Sequence, residues 1–454
     1  MYNLYNIKKL NIKRYIMVFK SSITKEVLYT FINLAWRIIS GPLTLIFIPL
    51  FLTPQIQGYW YTFGSLAALS VLADLGFTTI VSQFSAHEFA FLKFGNSELL
   101  EGEEDRLKRL GSLLRFVSKW AGSVCLVAFP VILTTGFLMF SSKNDGNGWI
   151  IPWILYILSS ALSFITGVSL SFYEGCNQIG PIQKNRLISS IITTFSTWVM
   201  LYLGFGLFTL SITALIGSLL NAGLLYWRFN KSLLQLLRIS KNVTHNWRHE
   251  FLDLIWRYAI SWSSGYFIFQ IYTPLMFQFH GPVYAGKVGI SMSLCNAIYS
   301  IANVWVYTAT PKINMSASKK DWVGLDRLAL KNIGMSAVTF TLGAGFLLAI
   351  LVVFKQSWTF LDRFLGTLPI AMLLVSWLLQ TFVNGLAIYL RAHKKEPFVM
   401  PSLISAIYIA VSTYFIARYL HVDFLFLGFL SSFLFGLPWC IWIFITKRSE
   451  WHSL

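Results

Sequence analysis

Two opposite charges, Arg37 and Asp74, lie deep inside apolar runs, and around each of them polar residues recur every three or four positions. On a helix that spacing puts them on one face. The first run carries Thr30, Asn33, Arg37, Ser40, Gly41 and Thr44; the second carries Ser70, Asp74, Thr78 and Ser82. A third stripe starts at Gly286 and Gly289 and runs through Ser293, Asn296, Ser300, Asn303 and Tyr307 to Thr310. A fourth sets Arg257, Ser261, Ser264 and Gly265 on one face, with Tyr266 and Gln270 on the next. A guanidinium is a rigid fork of donors suited to phosphate or carboxylate oxygens. A carboxylate can pair with it, or can exchange a proton or a sodium ion. Amides and hydroxyls can replace the water around a polar solute. The candidate solute-binding residues are therefore Arg37, Asp74, Asn33, Arg257, Gln270, Asn296, Asn303 and Tyr307, with Asp74 the candidate for ion coupling. No catalytic set, metal or organic cofactor is expected. The cysteines (Cys125, Cys176, Cys295, Cys440) stand singly, without metal-ligand or pairing spacing, and read as small packing residues.

The elements that must hold these residues are membrane helices. Of 454 residues, 56% are hydrophobic and only 12% charged, against about 25% charged in a soluble domain. Apolar runs of twenty or more recur along the chain, each enough to cross ~30 Å of hydrocarbon. They do not alternate as barrel strands would. The pattern predicts an all-α polytopic protein with twelve spans: 27–52, 59–84, 113–140, 149–173, 186–206, 208–229, 254–279, 286–311, 333–354, 367–390, 397–419 and 422–446. Alternate connectors and the two ends hold 29 of the 36 Lys and Arg residues, which by the positive-inside rule makes both termini cytoplasmic. The net charge of +18 is thus a topology signal, and no nucleic-acid partner is needed to explain it. Residues 1–26 are basic and lack the apolar core and small-residue site of a cleaved signal peptide.

The other connectors, such as TPQIQG and SSKNDGNG, are too short to fold into an outer catalytic domain, which argues against a membrane glycosyltransferase or polymerase. The long connectors, near 85–112, 230–253 and 312–332, look like amphipathic surface helices. Within them GEEDRLKRL reads as a solvated helix face, and Glu174 as a surface partner of Lys184 and Arg186. Lys119 lies near a span end, where it can snorkel.

The chain also halves. At an offset of 216, Tyr173/Tyr389, Pro181/Pro397, Leu187/Leu403, Ile188/Ile404, Ser189/Ser405 and Ile191/Ile407 coincide. The expected division is a basic segment 1–26, an N-lobe 27–229, a linker 230–253, a C-lobe 254–446 and a tail 447–454. Six spans per lobe make the lobes parallel repeats, a plan that in transporters puts the solute between them near the midplane. Arg37 and Asp74 fall at similar depth on consecutive antiparallel helices, Arg37 roughly 15 Å from its inner end, so the two can pair. Gly/Ser stripes also serve as packing seams; buried Arg and Asp are expensive enough to point to function.

These residues carry a resemblance. Leu52–Thr53, Gly58–Tyr59–Trp60 and Asp74–Leu75–Gly76, with GPVYAGKVGISMSLCNAIYSIANVWVYTATPKI from Gly281 to Ile313, resemble the Wzx-like oligosaccharide flippases of the multidrug/oligosaccharidyl-lipid/polysaccharide (MOP) superfamily. The resemblance implies a monomer in the bacterial inner membrane that moves an undecaprenyl-diphosphate-linked O-antigen, capsule or exopolysaccharide unit to the outer leaflet by alternating access. Other polysaccharide assembly proteins would be its partners, and helices one, two, seven and eight would line the cavity. By position, Arg37 matches a cationic first-helix site and Asp74 sits in the DLG element. A cation-coupled multidrug antiporter of the same superfamily is the alternative, and would want an acid where this chain has Arg37.

Overall fold

The computed structural model describes residues 25–95, 98–143, 146–242, 245–354, 358–393 and 395–452. A helix occupies each of the twelve expected positions. The first span is α1 (Lys25–Phe51), and the second is broken into α2 (Pro54–Ala67), α3 (Ser70–Asp74) and α4 (Phe77–Phe89). After a β-hairpin come α5 (Glu104–Ser141), α6 (Ile150–Gly175), α7 (Ile179–Tyr202) and α8 (Leu207–Ile239), completing the first lobe. The second lobe begins with α9 (Trp247–Phe269) and α10 (Tyr272–His280), then α11 (Pro282–Ala302) and α12 (Val304–Ser318). It ends with α13 (Trp322–Phe354), α14 (Thr367–Arg391), α15 (Val399–Tyr419) and α16 (Leu427–His452). Eight of these are long and apolar enough to cross a membrane singly, and two bent pairs, in spans two and eight, qualify when each is taken as one span. The remaining two, α7 and α9–α10, are helical but more polar. Large apolar side chains such as Leu126 and Leu434, each 80% exposed, face outward all along the bundle. Water would not tolerate such a surface; acyl chains cover it. The molecule is a multi-pass membrane protein.

The repeat is visible in the packing. In the first lobe α1 packs on α7, α6 on α8, and α5 on α6; in the second α9 packs on α15, α14 on α16, and α13 on α14. The paired tyrosines keep equivalent contacts. Tyr173 stacks on Phe229 of α8 at 4.1 Å, and Tyr389 meets Phe444 of α16 edge-on at 5.0 Å.

Three apolar clusters organise the bundle. One joins both lobes at the end bearing the short connectors, with Tyr59, Phe63 and Phe140 of the first lobe against Phe277, Ala285 and Val288 of the second. The other two lie toward the basic end and stay apart, one in each lobe, except that Trp247, Phe251 and Ile255 at the start of α9 pack into the first-lobe cluster. The lobes are thus fused at one end and largely separate at the other.

Two connector expectations are corrected. Leu92–Phe94 pairs antiparallel with Leu100–Gly102, where Gly102 (φ 146°) and Glu98 (φ 65°) take up conformations a helix cannot hold. Gln235 pins this pair to α8 through both the N–H and the C=O of Leu100, each at 2.8 Å. The other long connectors are extensions of spanning helices: α5 has 38 residues, about 57 Å at 1.5 Å each, well beyond the hydrocarbon. The acidic cluster also holds more than a solvated face. Glu104 pairs with Lys108, but Arg106 and Arg109 turn inward onto Glu88, which is only 3% exposed.

At the basic end of the second lobe His393 sits among Trp322, Trp451 and His452. Its Nδ1 lies 3.2 Å from the Tyr389 carbonyl. Burial holds its pKa below the ordinary histidine value. The folded protein therefore resists protonation there, so this residue's contribution is present above about pH 6.5, the unfolded value, and is lost as pH falls below it. Thermal stability is expected to decline from pH 7.5 to 5, and His393→Asn to flatten that slope in a pH series of melting curves.

Candidate functional site

The second span of each lobe is broken, by 43° in the first and 42° in the second. Interrupted helices at corresponding places in two repeats are the feature that most directly marks a transporter site. In the first lobe α3 stops at Asp74 because Leu75 (φ 49°) and Gly76 (φ 75°) are both left-handed. Glycine takes that conformation freely; for leucine it costs roughly 1–2 kcal/mol. The break leaves the first N–H groups of α4 without helical partners, and Asp74 supplies one. Its Oδ1 accepts from the Thr78 N–H (3.3 Å) and its Oδ2 from the Thr78 hydroxyl (3.0 Å).

This corrects the expected pairing with Arg37, since the Asp74 carboxylate is turned onto α4 and caps it. Asp74→Asn, which keeps one accepting oxygen, is expected to melt near wild type, while Asp74→Ala loses about 1–2 kcal/mol. Equal losses in the two variants would remove the capping role. In the second lobe the break falls at Asn303, which is fully buried. Its Nδ2 donates to the Tyr299 carbonyl (2.9 Å), and its Oδ1 accepts from Asn384 Nδ2 (2.8 Å). Asn303 is a joint behind the wall.

Near these breaks lie three chambers that share lining residues. The largest, 850 Å³, is set in the first lobe among α1, α2, α6, α7 and α8. Its lining runs from Arg186 and Asn221 near the basic end to Thr197 and Trp60 at depth. A second, of 580 Å³, lies between α2 and the second lobe, and shares Trp60, Gly64 and Leu210 with the first. A third, of 420 Å³, runs between α1 and α11–α12. It shares Arg37 with the first chamber and Ser293 and Asn296 with the second.

Arg37 thus stands at the junction, exposed, and among the described residues it makes no hydrogen bond or ion pair. Asn33 lines the first chamber, Gln270 the second, Asn296 the second and third, and Tyr307 the third. The side chain of Arg257 lies outside the described residues. Among the described residues the charged side chains lining these chambers are guanidiniums, Arg37 and Arg186, the latter paired with Glu174 at 2.8 Å.

Two groups of lining residues escaped the sequence reading. The hydroxyls Ser189, Ser190, Thr193, Thr194 and Thr197 of α7 carry the same three-and-four spacing, yet small hydroxyl residues also mark packing seams. Gln380 and Asn384 of α14 lie one turn apart on one face. Carboxamides so placed inside a span were the available signal.

At the other end the chambers are closed. Gln57 donates from Nε2 to the Gly286 carbonyl (3.0 Å) and the Arg363 carbonyl (3.4 Å), and the Leu365 N–H bonds the Ser291 hydroxyl (3.1 Å). Gly58 and Gly286 let α2 and α11 meet backbone to backbone.

No family profile and no curated protein matches the sequence. Among solved structures, an inward-facing multidrug resistance MATE family transporter of the MOP superfamily aligns at TM-score 0.55 with 13% identity, over 95% of this chain and 96% of that one. An outward-facing MATE transporter of the superfamily aligns at 0.53 with 11% identity, over 94% and 95%. A MATE transporter in the bent conformation aligns at 0.50 with 11% identity, over 94% and 95%. The chain has the fold of these transporters.

Proposed function

We propose that this chain belongs to the MOP superfamily and translocates an anionic, lipid-linked oligosaccharide. Its cargo would be an undecaprenyl-diphosphate-linked repeat unit, moved from the inner to the outer leaflet of a bacterial inner membrane. The observation that carries this reading is the sign of the chamber. Arg37, unpaired among the described residues, lines a polar space whose other described charged side chain, Arg186, is also cationic, and a diphosphate is a group that such a fork fits. The positive-inside bias supports a cytoplasmic position for both termini and for the open, basic end. The glycan and diphosphate enter there. The polyprenyl tail remains in lipid, reached through the chamber between α1 and α11–α12, whose α1 wall is built from Leu34, Ile38, Pro42 and Leu45. Rocking of one lobe on the other then exposes the load to the opposite side.

The fold is shared with multidrug transporters, but a cation antiporter needs an acid in its chamber, and the one expected at Asp74 is committed to capping α4. Deleting the gene is expected to halt surface polysaccharide display, with lipid-linked repeat units accumulating and resistance to cationic drugs unchanged. Normal display with increased drug sensitivity would assign the chain to efflux instead.

A further inference from the structure

The two larger chambers differ in chemistry, and the difference assigns them different parts of one solute. In the first, several of the hydroxyls already donate within their own helices: Ser160 to the Tyr156 carbonyl, Thr193 to Ser189 and Thr197 to Thr193, all at 2.8 Å, and Thr213 to Thr209 at 2.7 Å. Each can still accept a hydrogen bond, but its proton is taken. Among the described residues the second chamber has no charged side chain, and beside the hydroxyls of Ser65, Thr273 and Ser293 it gathers four carboxamides, Gln270, Asn296, Gln380 and Asn384, from three different spans. A carboxamide offers donors and an acceptor side by side, which matches a hydroxyl that must both give and receive.

Among the described residues Asn296 and Gln380 make no hydrogen bond, and Asn384 is oriented by donating to Asn303. Beside them is an aromatic wall. Trp377 stacks on Phe269 at 5.1 Å and lies 4.7 Å from Tyr299, and its buried indole N–H has no partner among the described residues. Flat aromatic faces meet polarised C–H bonds well. A neutral ring with hydroxyls on its rim and C–H groups on its faces satisfies both walls at once.

We propose that the second-lobe chamber is the pyranose subsite, where Asn296, Gln380 and Asn384 bond the hydroxyls of a neutral sugar packed against Trp377, while its anionic anchor sits at Arg37. The chamber's 580 Å³ is within the usual range of ligand sites, about 300–1,000 Å³. Asn296 lines both this chamber and the one that reaches Arg37, so anchor and sugar can be held together.

The inference rests on the reading of the cargo as a lipid-linked glycan, and the test separates the two. Full-length protein in lipid nanodiscs is titrated with undecaprenyl diphosphate and with the same lipid bearing a neutral oligosaccharide. Asn296→Ala/Gln380→Ala is expected to weaken the sugar-bearing lipid about tenfold, the worth of one to two hydrogen bonds, and to leave the bare lipid unchanged. Trp377→Phe, which keeps a ring against Phe269, is expected to show the same selectivity and stands in if the double variant misfolds. If the variants weaken both lipids alike, or neither, the subsite is overturned while the cargo reading stands. If wild-type protein binds neither lipid, the cargo reading falls, and neutral methyl hexosides decide the subsite through tryptophan fluorescence. A saturable change lost in Asn296→Ala/Gln380→Ala upholds it, and no saturable change overturns it.

Discussion

Arg37→Ala is expected to abolish translocation while the protein accumulates in the membrane at its normal level. The two halves of that outcome have separate causes. Arg37 forms no ion pair or hydrogen bond among the described residues, so its removal leaves no partner orphaned and no packed side chain unsupported. Folding should hardly notice. Binding should notice a great deal, because hydrogen bonds to charged groups contribute about 1.5–3 kcal/mol each, which is roughly 10- to 100-fold in affinity. Arg37→Lys keeps the charge and loses the planar fork, so it should retain part of the activity. The measurement is surface polysaccharide display beside an immunoblot of the membrane fraction. Full display at normal abundance in Arg37→Ala would remove the anionic-anchor role. Loss of display together with loss of protein would make Arg37 a folding residue.

How far the sequence led is seen by comparing Arg37 with Asp74. Hydropathy placed a helix at each expected position, ten of them long and apolar enough to cross a membrane once the bent pairs are joined, because burial in hydrocarbon acts on composition alone. Periodicity then placed Asn33, Arg37, Gln270, Asn296 and Tyr307 on faces that do line chambers. Periodicity cannot see a helix stop. Gly76 permits a left-handed turn, but nothing in the apolar run around Asp74 announces that Leu75 joins it, and with that turn the carboxylate faces Thr78 and not Arg37. Asn303 tells the same story one lobe later: its stripe position is on the inner face, but the bend carries it behind Asn384. The α7 hydroxyls were readable and ambiguous, since seam and chamber wall ask for the same small residues. The strand pair Leu92–Phe94 and Leu100–Gly102 was hidden because each strand is three residues, too short to show alternation.

The closed end of the bundle yields the sharpest expectation. A Cβ on Gly58 would lie 1.9 Å from the Pro282 carbonyl oxygen, and one on Gly286 2.9 Å from the Gly58 nitrogen. Both obstacles are backbone, so no rotamer change can absorb them; α2 and α11 must separate, and with them the lobes. In a conformation where this end has parted, the same methyl meets nothing. Gly58→Ala therefore penalises one state only. Overpacking of a tight contact costs about 1–3 kcal/mol, and a one-sided penalty of that size shifts a two-state equilibrium roughly 5- to 150-fold. The expected result is a molecule held open at the end bearing Thr53 and Gly281, with translocation stopped because the cycle cannot close there. A single cysteine at Ser293, in a background without Cys125, Cys176, Cys295 and Cys440, should react with an impermeant maleimide from that side much faster in Gly58→Ala than in wild type. Gly334→Ala, where a Cβ meets nothing within 4 Å, is the control and should match wild type. Unchanged labelling with normal translocation in Gly58→Ala would mean that α2 and α11 do not part during transport, and lobe rocking about this seam would have to be abandoned.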